Sequence, residues 1–188
     1  MHPAFEIMRV PTAPYHEEKV AEFVRAWLRR LEIPFREDRG GNILAEYHRG
    51  RAKDAVAFSV HMDHPGFEVM ASKRDRVECR FLGGVPQSYF KKGASVEFFD
   101  WDGECTGNAK IARVACWKPG RHEIHLKRVR GEVQRGQFGM WKLPALRKEK
   151  GLVVGRACDD PMTHCQTVPS PTNDATLVDT LARSMTSK

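Results

Sequence analysis

Apolar and polar positions repeat with two different periods along this chain, and each period predicts a different kind of structure. The clearest helical pattern runs from about His16 to Leu31, where apolar residues recur every three or four positions on one face. Glutamates lie toward its start, and Arg29 and Arg30 lie at its end, as the helix dipole favours. A nearly continuous apolar run at 55–60 predicts a strand buried on both faces, as in an α/β sheet.

From residue 67 the pattern changes to short apolar runs separated by turn residues. The predicted strands are Ile43–Tyr47 before this point and then Phe67–Ala71, Val77–Leu82, Ser95–Phe99, Lys110–Ala115, Glu123–Val129 and Gly151–Gly155. Glycine-containing turns at 83–84, 102–103, 119–120 and 131 separate the later strands. This spacing predicts a compact β module inserted between two pieces of an α/β domain. A last short helix is predicted after Asn173 or Asp174.

The composition changes sharply near residue 160. Two threonines precede position 161 and six follow it, whereas Lys and Arg fall from 29 in the first 160 residues to two in the last 28. The last glutamate is Glu149, and prolines at 161, 169 and 171 interrupt regular structure. The segment 161–188 is therefore interpreted either as a polar tail or as sequence from a different reading frame.

Composition and charge limit the class of protein. The 188 residues are 41% hydrophobic and 29% charged, which is typical of one soluble domain, or of one domain with a smaller insert. No apolar run is long enough to span a membrane, and no signal-like segment follows Met1, so we expect a cytoplasmic protein without a membrane partner.

The net charge of +7 permits nucleic-acid binding, but the cations are spread along the chain and interleaved with acids. The basic stretch 127–130 is interpreted as a solvated strand face, so no nucleic-acid partner is expected. The five cysteines are odd in number and have no CxxC spacing, which favours free thiols.

His61 and Asp63 are the first candidates for chemistry. They directly follow the predicted buried strand, and ligand sites in open α/β sheets collect at the carboxyl ends of strands. His61 could offer a ring nitrogen to a metal, while Asp63 accepts the other ring N–H and fixes the tautomer. A loop His and Asp that face only water explain the spacing equally well.

The second candidates are Asp159 and Asp160, which follow another strand-like run at 152–154. A carboxylate at that place suits the bridging of two divalent cations, and mixed oxygen and nitrogen ligands suit zinc, cobalt or manganese. The alternative is an Asp-Asp helix cap, which is a common structural feature.

Other residues are weaker candidates. His64 is expected at the mouth of the same site rather than as a ligand, and Cys158 has no recognisable base near it as a nucleophile. The pair His164-Cys165 has metal-ligand types, but its spacing matches no standard structural zinc site. Phe138, Met140 and Trp141 are expected to be packing residues.

The order of these motifs resembles the co-catalytic di-zinc metallopeptidases, most closely metallopeptidase family forty-two, the glutamyl and tetrahedral aminopeptidases. The resemblance covers residues 1 to about 160. It is carried by 10–14 before the helix, by 38–43, by the phrase from Val60 to Phe67 (VHMDHPGF) and by the phrase from Gly155 to Asp160 (GRACDD). The family twenty carboxypeptidases and deacylases also use a His-x-Asp motif, but the insert before GRACDD favours the aminopeptidase side.

The resemblance implies an α/β catalytic domain with a β insert, two bound divalent metals, and removal of N-terminal residues from peptides. It implies that His61 is a metal ligand, that Asp63 orients it, and that Asp159, or alternatively Asp160, bridges both metals. Such metals lower the pKa of a bridging water, and a glutamate then acts as general base. Members of the family assemble through the insert, which implies a homo-oligomer.

The chain departs from the family after Asp160. The glutamate pair that should supply the general base and a ligand has no counterpart, because no glutamate follows Glu149. We therefore expect a partial zinc-exopeptidase-like α/β domain whose C-terminal half is missing, that is, a truncated fragment with weak metal binding and negligible hydrolysis. The expected parts are 1–67 and 151–160 from the catalytic domain, 68–150 as the inserted β domain, and 161–188 as an atypical tail.

The competing hypothesis is a non-catalytic protein. In that case the β insert acts as an oligomerisation or binding module, and the catalytic motifs are only remnants of its ancestry. A role that rests on a fold alone would not establish function.

Overall fold

The computed structural model describes residues 6–48, 50, 55–142, 147–149, 152–154 and 164–168. Its helix α1 spans Glu18–Arg30, with Glu18 in the first turn and Arg29 and Arg30 in the last. The strands, numbered β1 to β12, are Phe35–Glu37, Ile43–Ala45, Ala55–Ser59, Gly66–Lys73, Arg76–Leu82, Ser95–Phe99, Cys105–Lys118, Arg121–Gly131, Phe138–Trp141, Arg147–Glu149, Leu152–Val154 and His164–Val168. A short 3-10 helix covers Gln87–Tyr89.

The chain divides into two compact units. One contains the described parts of residues 1–7, 21–61 and 161–188, and the other contains those of 8–20 and 62–160. In the first unit β1 and β2 form an antiparallel pair, and β3 pairs antiparallel with β12. Leu28 and Ile33 are the buried residues of a small core to which side chains of β1 and β2 contribute.

The second unit is built on a closed six-stranded barrel with the order β4-β5-β8-β7-β6-β9. Every pairing in it is antiparallel, and β9 closes the ring by pairing with both β4 and β6. Closure satisfies the backbone groups that an open sheet would leave at its edges. The strands alternate inward apolar and outward polar residues, as β5 shows with its buried Val77, Cys79 and Phe81.

The barrel interior is filled by aromatic and branched side chains. Phe67 lies at its centre, with ring centroids 5.3 Å from Phe81, 6.1 Å from Phe90 and 5.0 Å from Trp141. Edge-on arrangements of this kind add stabilisation beyond the burial of apolar area. The remaining buried members of this cluster are Val69, Val77, Cys79, Val96, Phe98, Ala109, Ile111, Ile124, Leu126 and Val133.

Most predicted elements are present, with shifted ends. The helix begins two residues later than predicted, because Tyr15 has a left-handed backbone (φ 72°) and the N–H of His16 closes a turn onto Ala13. It ends one residue earlier than predicted, because Glu32 also has a left-handed backbone (φ 56°). Ser95–Phe99 is confirmed as predicted, and the hairpin of β7 and β8 is longer than predicted at both ends. The predicted C-terminal helix lies outside the described residues.

One fold expectation is met only in part, and another needs correction. The described part of the protein is mostly β, with the six-stranded barrel and helix α1, and the α/β catalytic domain stays a prediction. The run 55–60 forms β3, but 56–58 are only half-buried and Val60 is 66% exposed rather than buried. An apolar run shows that its residues are hydrophobic, but it does not show which faces of the strand other elements cover. In the described residues β3 has one neighbour, the antiparallel β12.

None of the described helices is both long and apolar enough to cross a bilayer.

Candidate functional site

The predicted metal motif lies between β3 and β4 along the chain. His61 is exposed and comes two residues after the end of β3 in the first unit. Asp63 and His64 are half-buried and come just before β4 in the second unit. The placement of His61 beyond the carboxyl end of a strand is the one that the sequence suggested.

The segment that carries Asp63 is held by the N-terminal residues of its own unit. Thr12 is 1% exposed, and its hydroxyl oxygen lies 3.3 Å from the carbonyl oxygens of both Met62 and His16, so that its single O–H can donate to either. A buried hydroxyl with such partners fixes the local backbone, because losing them would leave polar groups unsatisfied. Thr12 therefore positions the residue between His61 and Asp63.

Gly66 allows the backbone after Asp63 to lie close to Ala13 and to Gly139. A Cβ atom at Gly66 would lie 2.6 Å from the Cβ of Ala13 and 2.9 Å from the carbonyl oxygen of Gly139. Only a residue without a side chain fits between these two neighbours. The glycine of the VHMDHPGF phrase thus has a packing role that the sequence analysis did not assign.

His16 lies beside this segment between two aromatic rings. Its ring centroid is 4.6 Å from that of Trp101 and 4.7 Å from that of Phe138. Its Nδ1 atom is buried without a hydrogen-bond partner. Burial lowers the pKa of His16 because it disfavours the charged form, while Glu68 and Glu17 act in the opposite direction.

We expect the stability of the protein to fall as the pH drops through the range below about 6.5, where the unfolded His16 becomes protonated before the folded one. The folded pKa is the lower of the two, so acid favours the unfolded chain. His16→Phe should retain the stacking and lose this contribution, which thermal melts of both proteins at pH 8 and pH 5.5 will show. An equal acid-induced fall in both melting temperatures would contradict the prediction.

The second half of the predicted metal site is not among the described residues. Asp159, its alternative Asp160, and Cys158 all lie outside them. His164 begins β12, and Cys165 follows it in the same strand. Within the described ranges no three His, Cys, Asp or Glu side chains come together to hold a metal. The described residues therefore do not by themselves fit a metal centre.

Two other groups of candidates have clear outcomes. Phe138 and Met140 are buried and Trp141 packs beside them, which confirms their assignment as packing residues. Cys79, Cys105 and Cys116 are free thiols, as expected. Burial raises the pKa of Cys79, so this thiol stays protonated and is not a nucleophile.

Sequence reasoning did not find Thr12, Gly66 or His16. Their roles come from contacts between 12–16 and residues fifty or more positions later, and no local pattern reports such contacts. The signals available were the place of Thr12 within residues 10–14 and of Gly66 within the VHMDHPGF phrase, and neither of these told what the residue contacts.

Comparison with known proteins gives a fold relationship and no family. No family model matches the chain, and no curated protein matches it. Among solved structures, the chain is similar to one named "putative peptidase/endoglucanase", with a TM-score of 0.55 and 16% identity over 86% of this chain. The chain spans about half of that structure, 51% of its length. At this identity the likeness concerns the fold alone.

Proposed function

We propose that this chain descends from a metal-dependent peptide hydrolase of the aminopeptidase type and carries part of its catalytic centre. The observation that carries the proposal is the position of His61 directly beyond β3, followed by Asp63, in a chain whose fold is similar to that of the peptidase/endoglucanase structure. The motif order supports the metal-dependent aminopeptidase type, and the similarity in fold is consistent with a hydrolase at a coarser level. That the substrate of this hydrolase is a peptide is proposed together with the reaction.

In this proposal His61 and Asp159, or Asp160 in its place, are the ligands that the chain supplies to a pair of divalent metals. Asp63 orients His61 by accepting its second ring N–H. Zinc, cobalt or manganese would supply an activated water when bound. The chain has no glutamate after Glu149 to act as general base or additional ligand. Weak metal binding and negligible hydrolysis of aminoacyl substrates therefore follow.

A zinc titration with matched variants tests this proposal. We expect the purified chain to bind zinc more weakly than micromolar, and His61→Ala to abolish that binding, while His48→Ala, at another exposed histidine, leaves it unchanged. Manganese should broaden the NMR signals of the His61 ring more than those of His48. An aminoacyl-p-nitroanilide should show no turnover with the metal present.

The possible results separate the parts of the proposal. Zinc binding that survives His61→Ala would contradict the ligand assignment. Micromolar zinc binding together with turnover would contradict the catalytic incompleteness but support the hydrolase class. Loss of zinc binding in His48→Ala alone would show that the zinc site does not lie at the predicted motif.

A second candidate function is a binding or oligomerisation module built on the barrel. The specific observation is that the strands of residues 66–141 close on themselves around a core of their own. Sedimentation of the full chain tests the oligomer, and a monomer at all concentrations would contradict it.

A further inference from the structure

Four basic residues form one row across four neighbouring strands of the barrel. Lys73 on β4 pairs with Arg76 on β5, Arg76 pairs with Lys127 on β8, and Lys127 pairs with Lys110 on β7. Directly opposed residues in antiparallel strands point to the same face, and all four are exposed. This cationic row spans three strand spacings, about 14 Å.

The cationic row is not compensated by acids. Like charges directly opposite each other destabilise a sheet, yet no described acidic side chain forms an ion pair with any of the four. Asp75 in the turn and Glu78 on β5 are the nearest acids along the chain. A local arrangement that costs stability without an internal gain is expected where a surface has a function.

The same barrel shows a compensated row for comparison. Two residues further along the outer face of β5 from Glu78, Arg80 pairs with Glu68 on β4 and with Glu123 on β8. Arg80 forms an ion pair with Glu68, and Glu123 forms one with Arg121 at 2.7 Å. In this second row the positive charges are therefore paired with acids, unlike those of the cationic row.

A groove continues the cationic row. It has a volume of about 430 Å³ and is lined by Lys73 together with Arg74, Arg135 and one acid, Glu132. The carboxylate of Glu132 accepts a hydrogen bond from the side chain of Gln134 at 2.7 Å. Three cations against one acid leave the groove positive.

A bulge in β8 lies between the cationic row and the groove. Asn108 pairs with Arg130 and Lys110 pairs with Lys127, so Arg128 and Val129 together face a single residue of β7. Arg128 has a left-handed backbone (φ 58°), which is costly for a residue with a side chain. Bulges of this kind redirect side chains at functional surfaces, and here the residue concerned is another exposed cation.

We propose that the cationic row and its groove bind the phosphate backbone of nucleic acid without reading its sequence. Neither the cationic row nor the groove lining contains an aromatic side chain. Stacking on bases requires aromatic rings, and protein interfaces are anchored by them. Charge without such anchors suits a polymer of regularly spaced phosphates, whose contacts supply affinity and no sequence readout.

This inference is independent of the proposed hydrolase function and differs from the sequence-based expectation of no nucleic-acid partner. That expectation rested on the spread of cations along the chain. Strand pairing brings Lys73, Lys110 and Lys127 together from three separate stretches of sequence.

The test is fluorescence anisotropy with a mixed-sequence DNA duplex at several salt concentrations. The full chain should bind, with a logarithm of affinity that falls linearly with the logarithm of salt concentration. Arg76→Gln with Lys127→Gln should weaken binding about tenfold or more at low salt and reduce the slope by about 1.8, or 0.9 for each lost contact. The double variant should melt no lower than the parent, because it removes opposed like charges.

The matched control is Lys118→Gln with Arg121→Gln. These residues also form a cross-strand basic pair, at the far end of the β7–β8 hairpin, and their replacement changes the net charge equally. Binding equal to that of the parent is expected. A loss as large as in the first variant, an absence of binding at low salt, or equal competition by polyglutamate would each overturn the proposal.

Discussion

Replacing Phe67 by alanine is expected to destabilise the barrel unit by about 3–5 kcal/mol. Phe67 is fully buried, and its ring meets those of Phe81, Phe90 and Trp141. The truncation removes buried apolar area and leaves a cavity. The surrounding rings cannot move together to fill this cavity, because Phe81 and Trp141 belong to different strands and Phe90 follows the 3-10 helix. Urea denaturation followed by tryptophan fluorescence measures the change.

Met70→Ala is the control on the same strand. Met70 is 40% exposed, so its removal is expected to cost less than about 1 kcal/mol. Equal losses for Phe67→Ala and Met70→Ala would contradict the assignment of Phe67 to the centre of the core.

Replacing Gly66 by valine is the second change with a large expected effect. Its Cβ would lie 2.6 Å from the Cβ of Ala13 and 2.9 Å from the carbonyl oxygen of Gly139. Both neighbours are held by backbone structure, so the 12–16 segment or β9 must shift. Overpacking of this kind typically costs about 1–3 kcal/mol and occasionally more, and the branched side chain places this variant at about 3 kcal/mol. Thermal or urea denaturation will show the loss.

Two companion variants define the cause. Gly84→Ala, where a Cβ meets nothing within 4 Å, should be neutral. Ala13→Gly should partly restore the stability of Gly66→Ala, since it removes one of the two close neighbours and leaves the Gly139 carbonyl. Additive losses in the double variant would show that the clash with Ala13 is not the cause.

The periodic pattern predicted the elements well where burial alone decides them. β5 alternates buried and exposed residues along 76–81, and α1 has a single apolar face, so both could be located from the sequence. The closure of the barrel could not, because pairing between β4 and β9 depends on residues far apart in the chain. Barrel strands and the strands of an open sheet have the same local alternation.

The same distinction between local patterns and contacts across the fold applies to the candidate site. His61 and Asp63 could be proposed because a motif is local, and the position of His61 beyond the end of β3 agrees with the predicted strand, while the roles of both residues stay predictions. Thr12 and Gly66, which hold the segment beside Asp63, depend on contacts across the fold. The cationic row was missed for the same reason, since only the strand register shows that Lys110 and Lys127 are neighbours.

The closed ring of strands also has a consequence for how the protein folds. The β7–β8 hairpin joins neighbouring residues through a two-residue turn and can form early, with little loss of chain entropy. The last seam joins Phe67 to Gly139, and the whole intervening chain must be ordered before that contact gives any stabilisation. Until the seam closes, β4 and β9 have unpaired backbone groups that neighbouring molecules can bind. The barrel is thus most prone to aggregation before the final pairing forms. A nascent chain cannot form that pairing until the residues of β9 have left the ribosome.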